Sequence, residues 1–509
     1  MASRATWNKL SLDEQRQRFE HWQSLRSRYE TLLMRGPPGV DGTTYRKRLA
    51  ELKLQVDEAE QDLLRTAPGL STGRFPEPDT IVARVAARLP AGSALVEIVW
   101  VEPFRFERAG TAGRRDLGRY VALLLFPDQR IDVVDLGVAQ HLDVVVQQFL
   151  GAIRSPSNDP KPQARELYRQ IFAPLISRLH GARRLVWSAD GSLNLVPMAA
   201  LHNGVDYLLE GPYQFTYVAS GRDLLQDPVR APMQQPLVIA DPDYQFASPP
   251  RVLQLETEKV PIARLAYLSR LPGALREAES VAHWLGVQPI TGKAATEALL
   301  RQARSPAVLH IATHGLFLDD ASPSPQAVDS VERGAAEQTR KVVALPLELP
   351  ISSGGVPMAA RSSILSRSVL ALAGASTATR SSDSSQDGLL TSEEARTLNL
   401  FGTQLVVLSA CDTGRGTVQI GEGVQGMRRS FIMAGAETVV ASLWTISDDK
   451  TAALMDAYYR RLVRDNRPRV QALSDAMKTI RTSHPHPYYW APFIAMGRDE
   501  PLRLDLAPR

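Results

Sequence analysis

Between residues 10 and 64 the apolar positions recur at helical spacing: Phe19, Trp22, Leu25, Tyr29 and Leu32, then Leu49, Leu52, Val56 and Leu63. Recurrence every three to four residues gathers them on one face of a helix. The break Arg35-Gly-Pro-Pro-Gly39 between the two sets makes the segment a helical hairpin. No second copy follows at the ~34-residue period that a tetratricopeptide solenoid requires.

Past the Pro/Gly-rich stretch 68–78 the pattern changes to strands, over Ala94–Phe106, Tyr120–Phe126 and Ile131–Leu136. Helical spacing returns over Leu142–Ile153 and Arg165–Leu179. The run RRLVWSADGSLNLVPMAAL then predicts a short strand, a turn at Asp190-Gly191 and a second short strand. From Pro236 the strands PLVIADPDY, AVLHIATHG, LVVLSAC and TVVASLW alternate with helices over Ala274–Leu285, Val424–Ala434 and Asp449–Val463. Such alternation predicts an α/β fold with a doubly wound sheet. The expected organisation is a helical hairpin region over 1–68, an α/β subdomain over 79–235 and a second over 236–509. Inside the second, 321–386 is rich in Ser, Ala, Pro and Gly apart from the apolar patch Val369–Leu372, and reads as a mobile or irregular insertion.

Composition adds limits. At 509 residues and 44% apolar the chain predicts two to three folded domains. No apolar run approaches the ~20 residues of a membrane span, and MASRATWNKLSLDEQRQ lacks the apolar core of a secretory signal. A cytoplasmic protein without membrane contact is expected. A single cysteine excludes an intrachain disulfide framework and a Cys-rich zinc site. The net charge of +4 is a slight excess spread along the chain, weak support for nucleic-acid binding; the basic run Arg16–Arg48, interleaved with glutamates, reads as a solvated helix face.

Candidate chemistry concentrates at two strand ends. AVLHIATH and LVVLSAC are near-continuous apolar runs, as parallel strands buried on both faces should be. His314-Gly315 ends the first, and Cys411, followed by Asp412-Thr-Gly-Arg-Gly416, ends the second. Open α/β sheets place ligands outside the carboxyl ends of their strands, so both residues are expected on one rim. A thiol needs a base to become a nucleophile, and an imidazole can return the proton to a leaving amine. The N–H groups of Gly315 and Cys411 can serve as an oxyanion hole. The competing reading of Cys411 is a buried small hydrophobe. His310 and His314 would share a metal on a helix, but on a strand they stand ~13 Å apart, so no metal is expected and His310 reads as a core histidine. The glycines of TGRGTVQIGEGVQG lack the Gly-Lys-Ser/Thr ending of a phosphate-binding loop, and no cofactor is expected.

The segments LPGALREAESVAHWL (271–285), HIATHG (310–315), RSVLALAG (367–374), DGLLTSEEARTLNL (387–400), LVVLSACDTGRG (405–416), GEGVQGMRRSFIMAGAETVVASLWTISDDKTAALMDAYYRRL (421–462) and PYYWAPFIAMG (487–497) resemble, in that order, the CHAT family. These are cysteine peptidases of clan CD, related to caspases and separases. LYRQIFAPLISRL and LVWSADGSLNLVPMAALHN are similar to the family's first half, a caspase-like subdomain without catalytic residues. The resemblance implies a caspase-like doubly wound fold in which a catalytic half follows a pseudo-caspase-like half. The family's catalytic histidine falls on His314 and its nucleophile on Cys411. SLWTISDD (442–449) is similar to the separase segment whose aspartate accepts a basic P1 side chain, which falls on Asp448. Ser447 and Asp448 also suit the cap and first turn of the following helix. The tandem tetratricopeptide repeats usual in the family are missing here.

The resemblance thus implies a cysteine endopeptidase that cuts a specific protein substrate, often encoded nearby, in bacterial signalling, defence or regulated cell death, with an activating partner. The rival readings are a non-catalytic CHAT-fold scaffold and a hydrolase or transferase acting on a small acyl substrate.

Overall fold

The computed structural model describes residues 42–66, 78–105, 114–115, 117–226, 234–246, 268–317, 368–376, 387–410, 417–419, 423–444, 446 and 448–504, with 17–19, 21–22, 24–26, 28–29 and 32 of an N-terminal helical segment. In that segment Phe19, Trp22, Leu25 and Tyr29 are buried against Val56 and Leu63 of helix α1 (Gly42–Thr66). These are the residues whose spacing marked one helical face.

After α2 (Pro78–Ala86), strand β1 (Ser93–Val101) pairs antiparallel with β2 (Arg119–Leu125), which pairs antiparallel with β3 (Ile131–Val138). Helices α3 (Ala139–Ile153) and α4 (Lys161–Ile171) lead to β4 (Arg184–Ala189), parallel to β1. Here an expectation fails. The stretch after Asp190-Gly191 forms no second strand but two 3-10 turns, Gly191–Leu195 and Met198–Ala200. Gly191 sits at φ +63°, and Pro197 has no N–H to give to a ladder. Strand β5 (Gln214–Tyr217) closes this half beside β4.

The second half runs β6 (Leu237–Pro242), α5 (Pro272–Leu285), β7 (Ile290–Gly292), α6 (Glu297–Gln302), β8 (Val308–Thr313) and β9 (Gly315–Phe317). It continues through β10 (Ser368–Ala371), β11 (Leu389–Thr391), α7 (Ser392–Ala395), β12 (Leu405–Ala410), β13 (Thr417–Gln419) and β14 (Gly423–Gln425). The last elements are α8 (Met427–Met433), β15 (Thr438–Ser442), α9 (Asp448–Tyr459), α10 (Arg469–Ser483) and β16 (Phe493–Gly497). The helix expected from Val424 begins only at Met427, because Gly423–Gln425 pairs with Thr417–Gln419 as a hairpin. Of the span read from composition as an insertion, residues 321–367 and 377–386 lie outside the described residues. Ser368–Ala371 is a buried strand between β9 and β11, formed by the apolar patch.

The large sheet has eleven strands in the order β3-β2-β1-β4-β5-β16-β15-β12-β8-β6-β7. Both halves share it, joined where Met496 of β16 pairs with Tyr217 of β5. The central strands β6, β8, β12 and β15 are parallel, while β16 runs antiparallel to β15. Side chains alternate across the sheet. On one face Val308, Ala312, Leu405 and Val407 pack with α5, α9 and α10; on the other Leu309, Ile311, Val406 and Leu408 pack with α6, α7 and α8. Helices on both faces make the sheet doubly wound. No helix among the described residues is long and apolar enough to cross a membrane.

Candidate active site

Strands β8 and β12 are parallel neighbours in register from Val308↔Leu405 to Thr313↔Ala410. His314 is the residue after Thr313 and is half-buried at the carboxyl rim of the sheet. Cys411 is the residue after Ala410 and lies outside the described residues.

Three contacts hold His314, two on its ring and one on its main chain. Nε2 lies 2.9 Å from the Ser269 carbonyl oxygen, and the ring packs at 5.2 Å against Tyr244. The His314 carbonyl accepts the Ala371 N–H of β10 at 2.9 Å. A carbonyl only accepts, so Nε2 carries the proton and Nδ1 of the neutral ring is left as the acceptor. The Tyr244 hydroxyl is 3.0 Å from Thr313 Oγ1, and burial pushes the phenol up to about 12, so it remains a neutral wall beside the imidazole.

The Ser269 carbonyl is itself held. Buried Asp241, at φ +44° near the end of β6, accepts from Arg270 Nε and from the Leu271 N–H, both at 2.8 Å. That contact raises Arg270 further above its ordinary range. Asp241 thereby fixes the backbone on the C-terminal side of Ser269.

Gly315 is buried and pairs with Leu370 of β10. The bond from Ala371 N to His314 O flanks that pair, which makes Gly315↔Leu370 a non-hydrogen-bonded pair. The Gly315 N–H therefore faces away from β10. Asp448 is the first residue of α9, and its side chain lies outside the described residues, as does Ser447.

His310 occupies the interior. It is 0% exposed, with Nδ1 3.1 Å from the Tyr459 hydroxyl and Nε2 3.1 Å from Glu277 Oε1. Ser409 Oγ donates to Glu277 Oε2 at 2.9 Å. The hydrogen-bonded pairs Ser409–Glu277 and His310–Tyr459 lie on the α5 face of β8 and β12, below the rim, and meet at the close Glu277–His310 approach, which is outside hydrogen-bond geometry. Glu277 had a signal in the sequence, since a carboxylate on the apolar face of ALREAESVAHWL needs a buried partner. Ser269 had none, because it contributes a main-chain carbonyl.

The profile of the CHAT domain matches residues 161–498, well over half of the chain. The chain belongs to the CHAT-domain family. Among curated proteins, tetratricopeptide repeat protein 28 of Homo sapiens is 28% identical over 366 residues, covering 69% of this chain and 14% of that protein. Its Mus musculus counterpart is 27% identical over 358 residues, covering 67% of this chain and 13% of that protein. This CHAT protein therefore spans only about a seventh of the length of those relatives. Among solved structures, the Arg-specific cysteine proteinase gingipain R aligns at 10% identity and TM-score 0.35, over 73% of this chain and 76% of that one. The Saccharomyces cerevisiae separase–securin complex aligns at 11% identity and TM-score 0.30, over 94% of this chain and 27% of that one.

Proposed function

We propose that this CHAT protein is a cysteine endopeptidase in which Cys411 attacks the scissile carbonyl and His314 moves the proton. The observation that carries the reading is the pairing Thr313↔Ala410. Parallel strands stand ~4.8 Å apart, so a register carried one residue past that pair would put position 411 beside position 314, which is what supports the reading. His314 supports the role through Nδ1, which has no hydrogen-bond partner among the described residues: it takes the thiol proton as the C–S bond forms and gives it to the leaving amine as the C–N bond breaks. The N–H groups of Gly315 and Cys411 would receive the oxyanion. Water then releases the acyl group and restores the thiol.

Residues 79–235 would be a non-catalytic half. The parallel pair β1–β4 repeats the β8–β12 arrangement, yet β4 is followed by Asp190 where β12 is followed by Cys411. The role is cleavage of a specific protein substrate inside a cell, under control of an activating partner. Asp448, at the start of α9 and therefore just past the strand bearing Ser442, is the candidate S1 carboxylate for a basic P1 side chain.

A peptide library scanned at P1 tests both levels. Discrete cleavage with Arg or Lys preferred at P1, reduced by orders of magnitude in Asp448→Asn, is the expected result, on the scale of truncating one partner of a buried charge pair. Cleavage with an apolar or acidic P1 would leave the endopeptidase and make Asp448 a helix residue only. No cleavage of any library member or co-expressed protein would favour the scaffold reading.

A further inference from the structure

The N-terminal helical segment and α1 keep an apolar core of their own, in which Phe19, Trp22, Leu25 and Tyr29 meet Val56 and Leu63. They reach the second half through a buried ion pair. Arg26 is 7% exposed, with its guanidinium 5.5 Å from the centre of the Trp22 ring, and its Nη2 lies 2.9 Å from Glu393 Oε1 of α7. Glu393, 4% exposed, also accepts from Arg396 Nη1 at 2.9 and 2.7 Å. Helix α7 is four residues long, too short for helix propagation to sustain it. Side chains hold it instead. Glu394 Oε2 accepts the Thr391 N–H at 2.9 Å while Thr391 Oγ1 accepts the Glu394 N–H at 3.1 Å, and Arg301 Nη2 donates to Glu394 Oε1 at 2.9 Å. The Ser392 hydroxyl donates to the Ser368 carbonyl of β10 at 3.2 Å. Thr391 ends β11, which pairs with β10, and β10 ends at Ala371. Ala371 is the residue that braces the histidine: its N–H donates to the His314 carbonyl at 2.9 Å, and its own carbonyl accepts from the Thr313 hydroxyl.

We infer that Arg26 is a positioning residue for His314, acting through α7 and the β9–β10–β11 sheet, so that the N-terminal helices set the geometry of the candidate site from outside it. Its bearing on catalysis rests on the reading of His314 as the base. The physical argument is stiffness. Strands β9, β10 and β11 have three, four and three residues, and a sheet so small depends on what is tied to it. With Arg26 in place, two guanidiniums hold the Glu393 carboxylate and tie α7 to a second folded unit. Without it the buried carboxylate keeps one of those two cations, and the single turn of α7 opens more often. Each opening releases Thr391, then the end of the β10–β11 pairing, then the Ala371 N–H on which the His314 main chain rests. Leu370 and Leu390, both 0% exposed, keep the middle of the small sheet packed either way, so the effect falls on local opening and leaves the fold in place.

The test compares the full native chain with Arg26→Ala, Arg26→Lys and Glu393→Gln by two readouts that need neither Cys411 nor any cleavage. Hydrogen exchange read by mass spectrometry follows a peptide spanning 368–372, with a peptide spanning 93–101 of β1 as the reference. Imidazole 15N shifts report the tautomer of His314, whose signals are assigned by their absence in His314→Ala. The native protein should show one Nε2-protonated tautomer. In Arg26→Ala, exchange over 368–372 should rise about tenfold with 93–101 unchanged, and the His314 shifts should move toward a mixture of the two tautomers. Arg26→Lys keeps the cation and should restore most of both. If Arg26→Ala fails to fold, Glu393→Gln, which removes the charge and keeps the acceptor, is read the same way. Equally faster exchange in both peptides would make Arg26 a source of general stability and overturn the inference. Faster exchange over 368–372 with unmoved 15N shifts overturns it as well, since the loosening would then stop short of the imidazole. So does folded Arg26→Ala protein that matches the native in both readouts. Loss of the dyad reading would leave both readouts as they are, so the two failures are distinct.

Discussion

Thr313 of β8 and Ala410 of β12 are register partners on adjacent parallel strands, and the residues that follow them are His314 and Cys411. The imidazole is already oriented there, with Nε2 on the Ser269 carbonyl. Everything expected of the site's chemistry depends on how firmly that orientation is held.

Asp241 holds it from behind. Asp241→Asn keeps a residue that tolerates the left-handed conformation at φ +44° but loses the charge that pairs Arg270. The Ser269 carbonyl should then shift, and peptide cleavage should fall about tenfold with little change in KM, since small misplacements of a catalytic group act on the chemical step. Steady-state kinetics read this directly. Unchanged kcat would mean that the Ser269 contact does not set the imidazole.

His310 should behave in the opposite way. It is enclosed with Glu277 and Tyr459, so His310→Ala leaves a buried carboxylate short of a partner and should cost roughly 3 kcal/mol of stability. Urea unfolding measures that loss. Below the transition, Cys411 alkylation in this variant should match the native rate; a large fall there would give His310 a part in the chemistry.

Arg428 predicts a gain. Among the described residues its Nη2 is buried without a hydrogen bond, and burial pulls the guanidinium down to about 10, still charged at neutral pH. Replacing an uncompensated buried cation by an apolar side chain of similar length removes a desolvation penalty. Arg428→Met should therefore raise stability by about 1–4 kcal/mol, read as an upward shift in the urea midpoint. A fall would show that the guanidinium is compensated.

Glu297 predicts a pH dependence. It is 1% exposed and ion-paired with Arg301 at 2.6 Å, yet Arg301 also serves Glu394. Burial first, and the neighbouring Glu394 charge second, raise the Glu297 carboxyl above its ordinary range. A carboxyl raised in the folded state contributes stability that is complete below the unfolded value near 4.5 and is lost as pH rises through the folded value. Glu297→Gln keeps the acceptor for Arg301 and removes the proton, so its stability should fall less between pH 5 and pH 10 than that of the native protein. Parallel pH profiles for the two proteins would refute this.

Much of this was legible in the sequence because the relevant strands are short, apolar and bounded by turn formers. VLHIAT and LVVLSA are buried along nearly their whole length, and such runs announce central parallel strands. The helical face of Phe19, Trp22, Leu25 and Tyr29 was equally plain. The junction of the two halves was not, since β5 is four residues long and meets β16 through one residue pair. The Gly191–Leu195 turn was misread as leading to a strand because its leucines follow an apolar run, while Gly191 and Pro197 dictate the chain path. Support from Ser269 and Asp241 was invisible, being a carbonyl and the carboxylate that orients its neighbours.

The central claim is tested most directly by incubating native protein, Cys411→Ala, His314→Ala and the double variant with a cleavable peptide or protein substrate, after circular dichroism has shown all four folded. The dyad predicts discrete cleavage by the native protein, its loss in each single variant, and little further loss in the double variant, because nucleophile and base act as one unit. Cleavage that survives in folded Cys411→Ala would contradict the account.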